Sequence, residues 1–170
     1  MKKFLLPFTL ALLMVLGSVP VMVPAAEAAA GYLLEVHWDG RTLRRVSSDG
    51  QAQGIEGLLE DYAGVAEGLF ALYAATGNPR WHHAAQELAA AAVERFLGPD
   101  GLSDTAREPE QIRQAQGGHS AANPLDDAVP SGTALLAGVL LTSASYGGPG
   151  RHRALAEGLV DHVRRAGPAI

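Results

Sequence analysis

The fold is decided by residues 58–97, which read LLEDYAGVAEGLFALYAATGNPRWHHAAQELAAAAVERFL. The first half of this stretch carries apolar side chains at the spacing of one helix face, namely Leu58, Tyr62, Val65, Leu69 and Leu72. Gly77-Asn78-Pro79 ends that helix, because Gly and Asn tolerate a left-handed stop and Pro suits the start of a new helix. The second half places Trp81, Ala85, Leu88, Ala92 and Phe96 on one face. We therefore predict an antiparallel helical hairpin with helices over about 58–76 and 80–97.

A second helical hairpin is predicted near the C-terminal end. Helices over about 131–146 and 151–165 are separated by Gly147-Gly148-Pro149-Gly150, which is a strong turn signal. Their inward faces are expected to hold Leu135, Leu136, Val139, Leu140 and Ser143, then Leu155, Leu159, Val160 and Val163. The two hairpins are joined by a polar stretch, residues 102–123, that shows no sustained period. Loops of such length are usually functional or disordered.

A β-hairpin is predicted ahead of the helices, within residues 31–57. Tyr32 to Trp38 alternates between apolar and polar side chains, and Thr42 to Val46 follows the Asp39-Gly40 pair. An Asp-Gly pair between two such runs favours a tight hairpin turn with positive φ. The polar, glycine-containing segment from Ser47 to Gly57 is interpreted as a loop.

Residues 1–30 are typical of a secretory signal peptide. Lys2 and Lys3 precede an apolar run, and the alanine cluster at residues 26–30 supplies small residues for cleavage after Ala28 or Ala30. This predicts export to the periplasm or the extracellular space. The alternative is a membrane anchor through residues 4–23, although Pro7, Gly17 and Pro20 interrupt that run.

Composition narrows the classes of function. The net charge is −5 and the basic residues are scattered, so no nucleic-acid partner is expected. The chain contains no cysteine, which excludes disulfides and thiol chemistry within it. No spacing of histidines and carboxylates indicates a metal site, and no cofactor is expected. His152 and His162 are expected to lie exposed on a helix.

Three segments, taken in order, resemble one family of proteins. They are Leu59-Glu60-Asp61-Tyr62-Ala63, the stretch from Gly68 to Trp81, and Asp127-Ala128-Val129-Pro130-Ser131-Gly132. The chain resembles the thioredoxin-domain-containing proteins related to the spermatogenesis-associated thioredoxin-like proteins. The resemblance implies a C-terminal (α/α)₆ toroid similar to six-hairpin glycosidases and N-acylglucosamine 2-epimerase.

The fold class predicted is mostly α, with two αα-hairpins from an (α/α)₆ toroid and a short β-hairpin before them. Residues 58–170 would form this partial toroid. The family's thioredoxin-like domain and its cysteines are missing, so redox activity is not implied. Six hairpins complete such a toroid, and this chain has room for about two of them.

The resemblance places acidic residues at helix starts, where toroids of this type line a cleft that binds sugars. Paired carboxylates across a cleft can perform glycosidic acid/base chemistry. The alternative is helix capping, since Asp and Ser accept hydrogen bonds from free backbone N–H groups and negative charge is favoured at a helix start. The candidate catalytic residues are Glu60, Asp61, Asp126 and Asp127, and the candidate substrate-binding residues are Tyr62, His119 and Ser131.

Three functions follow from these observations. The first is a partial, non-catalytic six-hairpin glycosidase-like toroid domain, at most a carbohydrate-binding remnant. The second is an active glycan-processing enzyme of the glycosidase or sugar-epimerase type that uses the paired carboxylates. The third is a helical protein-interaction module. Carbohydrate is the expected partner, and self-association through apolar helix faces left exposed is a further expectation.

Overall fold

The structure, a computed structural model, describes residues 22–98, 101–106 and 130–166. This part of the chain is mostly helical and contains two short antiparallel β-hairpins, which confirms the predicted helical class. The helices are α1 (residues 22–32), α2 (Leu59–Thr76), α3 (Pro79–Phe96), α4 (Gly132–Ser145) and α5 (Arg151–Ala166). The strands are β1 (Ser47–Ser48), β2 (Gln51–Ala52), β3 (Leu97–Gly98) and β4 (Gly101–Leu102). Each end of α2 to α5 lies within one residue of its predicted position.

The predicted strand from Tyr32 to Trp38 is wrong. Residues 22–32 form α1, and Leu33–His37 continue it as a π-helix that ends at the extended residue Trp38. Alanine-rich sequence upstream favours the helix, and extending a formed helix costs less than nucleating one. The predicted segment therefore continues a helix that begins within residues assigned to the signal peptide.

The regular β-hairpin turns at the second Asp-Gly pair of the chain segment, not at the first pair as predicted. At Asp39-Gly40 only the bridge between Trp38 and Leu43 forms. The regular hairpin of β1 and β2 turns instead at Asp49-Gly50, where φ is 52° and 73°. Positive φ at both positions is the requirement of a type I′ turn. The segment predicted as a loop after residue 46 therefore contains the hairpin.

The connection between α2 and α3 follows the sequence closely. Gly77 adopts the left-handed conformation with φ of 69°, and its N–H donates to the Tyr73 carbonyl over 2.8 Å. The side chain of Asn78 accepts from the Arg80 N–H over 3.1 Å, and Pro79 is the first residue of α3. These caps reverse the chain within two residues and place α3 antiparallel against α2.

The first helices of the two hairpins, α2 and α4, run parallel and side by side. At their starts, Gly132 is so close to Leu59 that an added Cβ would lie 3.1 Å from the Leu59 Cγ. Further along, the Phe70 and Tyr73 rings contact Tyr146 with centroids 5.8 and 5.3 Å apart. Two contacts in the same order along both helices fix the parallel direction. Successive hairpins thus pack as layers, rather than as a four-helix bundle in which the first and third helices face each other diagonally.

The helix α5 packs mainly on α4, and its buried face differs from the prediction. Ala156 is fully buried, whereas Val160, expected to point inward, is 48% exposed. His152, expected to be exposed, is fully buried in the first turn of α5. Among the described residues, none of the helices combines the length and apolarity that a membrane crossing requires.

Two glycines of α4 provide a matched test of the contact between α2 and α4. An alanine Cβ at Gly132 would meet Leu59 and the Glu60 nitrogen at 3.1–3.2 Å, so Gly132→Ala should destabilise the protein by about 1–3 kcal/mol. At Gly138 a Cβ meets nothing within 4 Å, so Gly138→Ala should stabilise the helix by about 0.5–1 kcal/mol. Urea unfolding measures both changes. Equal effects at the two positions would contradict the close packing.

Candidate functional site

The start of α2 holds two of the candidate catalytic carboxylates, and Asp61 caps the helix. The Asp61 Oδ2 accepts a hydrogen bond from the Leu58 backbone N–H over 2.8 Å. Leu58 is the extended residue that precedes the helix, and Asp61 is at its third position. A carboxylate reaching back from this position satisfies a free N–H group at the helix start. This geometry matches the capping interpretation of Asp61.

A single guanidinium engages both carboxylates. The Arg45 Nη2 lies 2.9 Å from the Glu60 Oε1, and the Arg45 Nε lies 3.5 Å from the Asp61 Oδ2. Arg45 comes from the segment that leads into the β1–β2 hairpin, so the ion pairs fasten that segment to α2. Both acids are thus partnered by one cation of the hairpin segment.

Tyr62 is buried in the core beneath this helix start. Its hydroxyl accepts a hydrogen bond from the Leu43 backbone N–H over 2.7 Å. Its ring makes edge contacts with Trp38 and Phe96, at centroid distances of 6.1 and 5.2 Å. Burial raises the pKa of the Tyr62 hydroxyl, so it stays protonated at neutral pH. Tyr62 is fully buried, which fits the alternative role as a core residue.

The start of α4 lies directly against the start of α2. The Ser131 Oγ accepts the Ala134 N–H over 3.2 Å, which is an N-cap hydrogen bond. The adjacent Gly132 contacts Leu59 and the Glu60 backbone. The described end of the downstream segment, residues 130–132, thus lies against the start of α2. Asp126, Asp127 and His119 lie outside the described residues.

A second network of charges surrounds Tyr62 on the side of α3. The Arg95 Nη2 lies 2.8 Å from the Glu56 Oε2, and its guanidinium lies 5.9 Å from the Tyr62 ring centroid. Glu56 also lies 3.7 Å from the Arg44 Nη1. The Arg95 Nε is buried and has no hydrogen-bond acceptor within the described residues. The network joins the hairpin segment to the C-terminal end of α3.

Beside this network a groove of about 430 Å³ runs along α3. It is bordered by the Asp39-Gly40 turn, in which the Asp39 Oδ1 accepts the Arg41 and Thr42 N–H groups over 2.9 and 2.6 Å. Those hydrogen bonds, the one from Thr42 first, lower the pKa of Asp39. The groove is lined by Gly40, Arg41, Glu87, Ala90, Ala91, Glu94, Arg95 and Ala106. Its lining combines charged side chains of both signs with small apolar ones.

Sequence reasoning did not single out the residues that organise this face. In the sequence, Arg45 has no signal beyond its place in the predicted strand from Thr42 to Val46, and Arg41, Glu87 and Glu94 form no recognisable motif. Glu87 and Glu94 are seven residues apart on α3, a spacing that places them on one helix face. That spacing is the only feature of the sequence that could have indicated an acidic face on α3. Within the described residues, no group of three or more histidines and carboxylates is arranged to hold a metal ion.

Comparisons with protein-family models, curated proteins and solved structures gave no match to this chain. The family resemblance therefore rests on the sequence motifs alone.

The two carboxylates of α2 should differ in their effect on stability. Asp61→Ala removes a helix cap and should lower the free energy of unfolding by about 1 kcal/mol, within a range of roughly 0.5–2 kcal/mol. Glu60→Ala removes only an exposed ion pair with Arg45 and should cost less, about 0–1 kcal/mol. Denaturant unfolding of the two variants measures the difference. A larger loss from Glu60→Ala would contradict the capping role of Asp61.

Proposed function

We propose that the chain is a partial, non-catalytic (α/α) toroid module of the thioredoxin-linked family that it resembles, and that it binds carbohydrate. The observation that carries the non-catalytic part is the shared guanidinium at the start of α2. Arg45 pairs with both Glu60 and Asp61, and Asp61 also caps the helix. Each carboxylate thus has a structural partner, which supports a scaffold role for this motif.

The packing of the hairpins supports the toroid part of the proposal. In a toroid of helical hairpins, the first helices of successive hairpins lie parallel, and each hairpin packs beside the previous one. The parallel contact of α2 with α4, and the contact of Gly132 with Leu59 at their starts, have this character. A module of two hairpins would correspond to one third of the ring implied by the resemblance.

The groove along α3 is the surface that we propose for carbohydrate. Its volume of about 430 Å³ lies in the range of ligand pockets, roughly 300–1,000 Å³. Carboxylates accept hydrogen bonds from sugar hydroxyls, and guanidinium groups donate to them. Glu87, Glu94 and Arg41 supply both kinds of group around small side chains, which leave room for a ring.

Saccharide titrations followed by NMR test the binding part on the full chain. The probes are N-acetylglucosamine and neutral oligosaccharides, and shifts are expected for amides beside the groove. The double variant Arg41→Ala/Glu94→Ala should weaken binding about tenfold, which corresponds to ~1.4 kcal/mol. The matched control is Arg153→Ala/Glu157→Ala, which removes one exposed charge of each sign from α5. Absence of any shift, or equal weakening by the control, would reject the groove as the site.

The non-catalytic part is tested separately by assays of sugar release and epimerisation with the same saccharides. No turnover is expected from the wild-type protein. Turnover that disappears in folded Glu60→Gln or Asp61→Asn variants would instead support the glycan-processing enzyme. Binding and turnover are measured independently. A negative result for carbohydrate binding therefore does not affect the test of catalysis, and the reverse also holds.

We also propose that the chain is exported through its N-terminal segment. Cleavage after Ala28 or Ala30 would remove Glu27, whose Oε1 accepts the Trp81 Nε1–H over 3.1 Å. Intact mass measurement of the secreted or periplasmic protein should therefore show an N-terminus at residue 29 or 31. A soluble cytosolic protein that retains Met1 would contradict export, and an intact chain in the membrane fraction would support the anchor through residues 4–23.

A further inference from the structure

A buried polar cluster joins α3, α4 and α5 at the end of the molecule opposite the candidate site. Ser143 of α4 and His152 of α5 are both fully buried. The His152 Nδ1 lies 2.7 Å from the Ser143 Oγ, and the Ser143 hydroxyl donates to the Gln86 Oε1 of α3 over 2.6 Å. Gly148 packs onto the same serine, because an added Cβ would lie 2.7 Å from the Ser143 carbonyl oxygen.

The hydrogen bonds fix the proton on the imidazole. A hydroxyl has one proton, and Ser143 gives its proton to Gln86. The His152 Nδ1 must therefore carry a hydrogen and donate it to the Ser143 Oγ. The Nε2 atom then carries no hydrogen and presents a lone pair. It is buried and has no hydrogen-bond partner within the described residues. A buried acceptor without a partner is tolerated here while the ring is neutral.

We propose that His152 is an acid-sensitive latch, which holds α5 and its preceding turn against α3 and α4 and releases them when Nε2 is protonated. Protonation would create a buried cation with an N–H group that has no acceptor. Such a group is costly unless it is paired. Release of α5 exposes the protonated imidazole of His152 to water, which hydrates its charge.

The groups that face His152 strengthen this response. On α3, the His82 Nε2 lies 3.4 Å from the Gln86 Nε2, next to the cluster. On α5 itself, the positive charge of Arg151 disfavours an imidazolium. On α4, the neighbouring side chains are those of Ser143 and Tyr146, and neither is a carboxylate. Within the described residues, no carboxylate is hydrogen-bonded to the His152 ring to offset a proton.

The direction of the pH effect follows from burial. Burial, and secondly the charge of Arg151, lower the pKa of His152 in the folded protein below its ordinary value of 6.5. The unfolded or detached state keeps the ordinary pKa and therefore takes up a proton first as the pH falls. The stabilisation from neutral His152 is complete above about pH 6.5 and is lost as the pH falls from there through the lower pKa of the folded state.

Hydrogen exchange of the full chain tests the latch. Amide protection factors are compared between about pH 7.5 and 5.5, on either side of the ordinary pKa, after correction for intrinsic exchange. In the wild type, residues of α5 should lose protection several-fold relative to α2 and α3, with about tenfold as the limit for one histidine whose detached-state pKa is 6.5. His152→Asn keeps a donor near the Nδ1 position without titrating, so its α5 should show no such pH-dependent loss. The matched control His162→Gln removes an exposed histidine of α5 and should behave like the wild type.

Two further measurements keep the proposal decidable if His152→Asn fails to fold. The imidazole NMR signal of wild-type His152 should titrate below pH 6.5, at the pH where the loss of α5 amide protection levels off. His82→Gln should retain the response, and its loss in that variant would assign the sensor to His82 instead. Constant α5 protection in the wild type, or equal loss in folded His152→Asn, would overturn the latch.

Discussion

The hydrogen bond from the Leu43 N–H to the Tyr62 hydroxyl is the interaction on which the rest of the structure depends. Tyr62 belongs to the first turns of α2, and its ring lies between Trp38 of the preceding segment and Phe96 of α3. One side chain thus joins three parts of the chain that are distant in sequence. A buried backbone N–H needs an acceptor, so the irregular segment before α2 can pack on the helices only where this hydroxyl receives it.

The charged residues of the candidate site depend on that attachment. Once Leu43 is fixed, Arg44 and Arg45 follow it directly, and their guanidinium groups lie beside Glu56 and Glu60. Arg95 approaches the same Glu56 from α3. The acids at and just before the start of α2 are therefore held by these three arginines. In this arrangement, the acidic motif at the start of α2 acts first as a joint between the hairpin segment and the helices.

The helices could be predicted from the sequence because each carries its own signals. The spacing of Trp81, Leu88 and Phe96 and the stop at Gly77-Asn78-Pro79 are local features, and the helix ends lie within one residue of the predictions. Leu33–His37 was misassigned because its helix starts in residues treated as a separate segment. His152 was misassigned because its burial arises from Ser143 and Gln86, which are brought to it by packing. The ion pairs of Arg45 with Glu60 and Asp61 could not be predicted either. They depend on the chain reversal at Asp49-Gly50, and no local pattern of charges indicates which residues that reversal brings together.

The parallel packing of α2 and α4 has a local electrostatic consequence. Peptide dipoles add along a helix, so each N-terminus carries the equivalent of about half a positive charge. The starts of α2 and α4 lie side by side, so their two positive ends reinforce each other beside Glu60 and Asp61. The second helix of each hairpin runs back along the first and opposes its dipole. The positive potential is therefore confined to the paired helix starts, and the two acids there offset it.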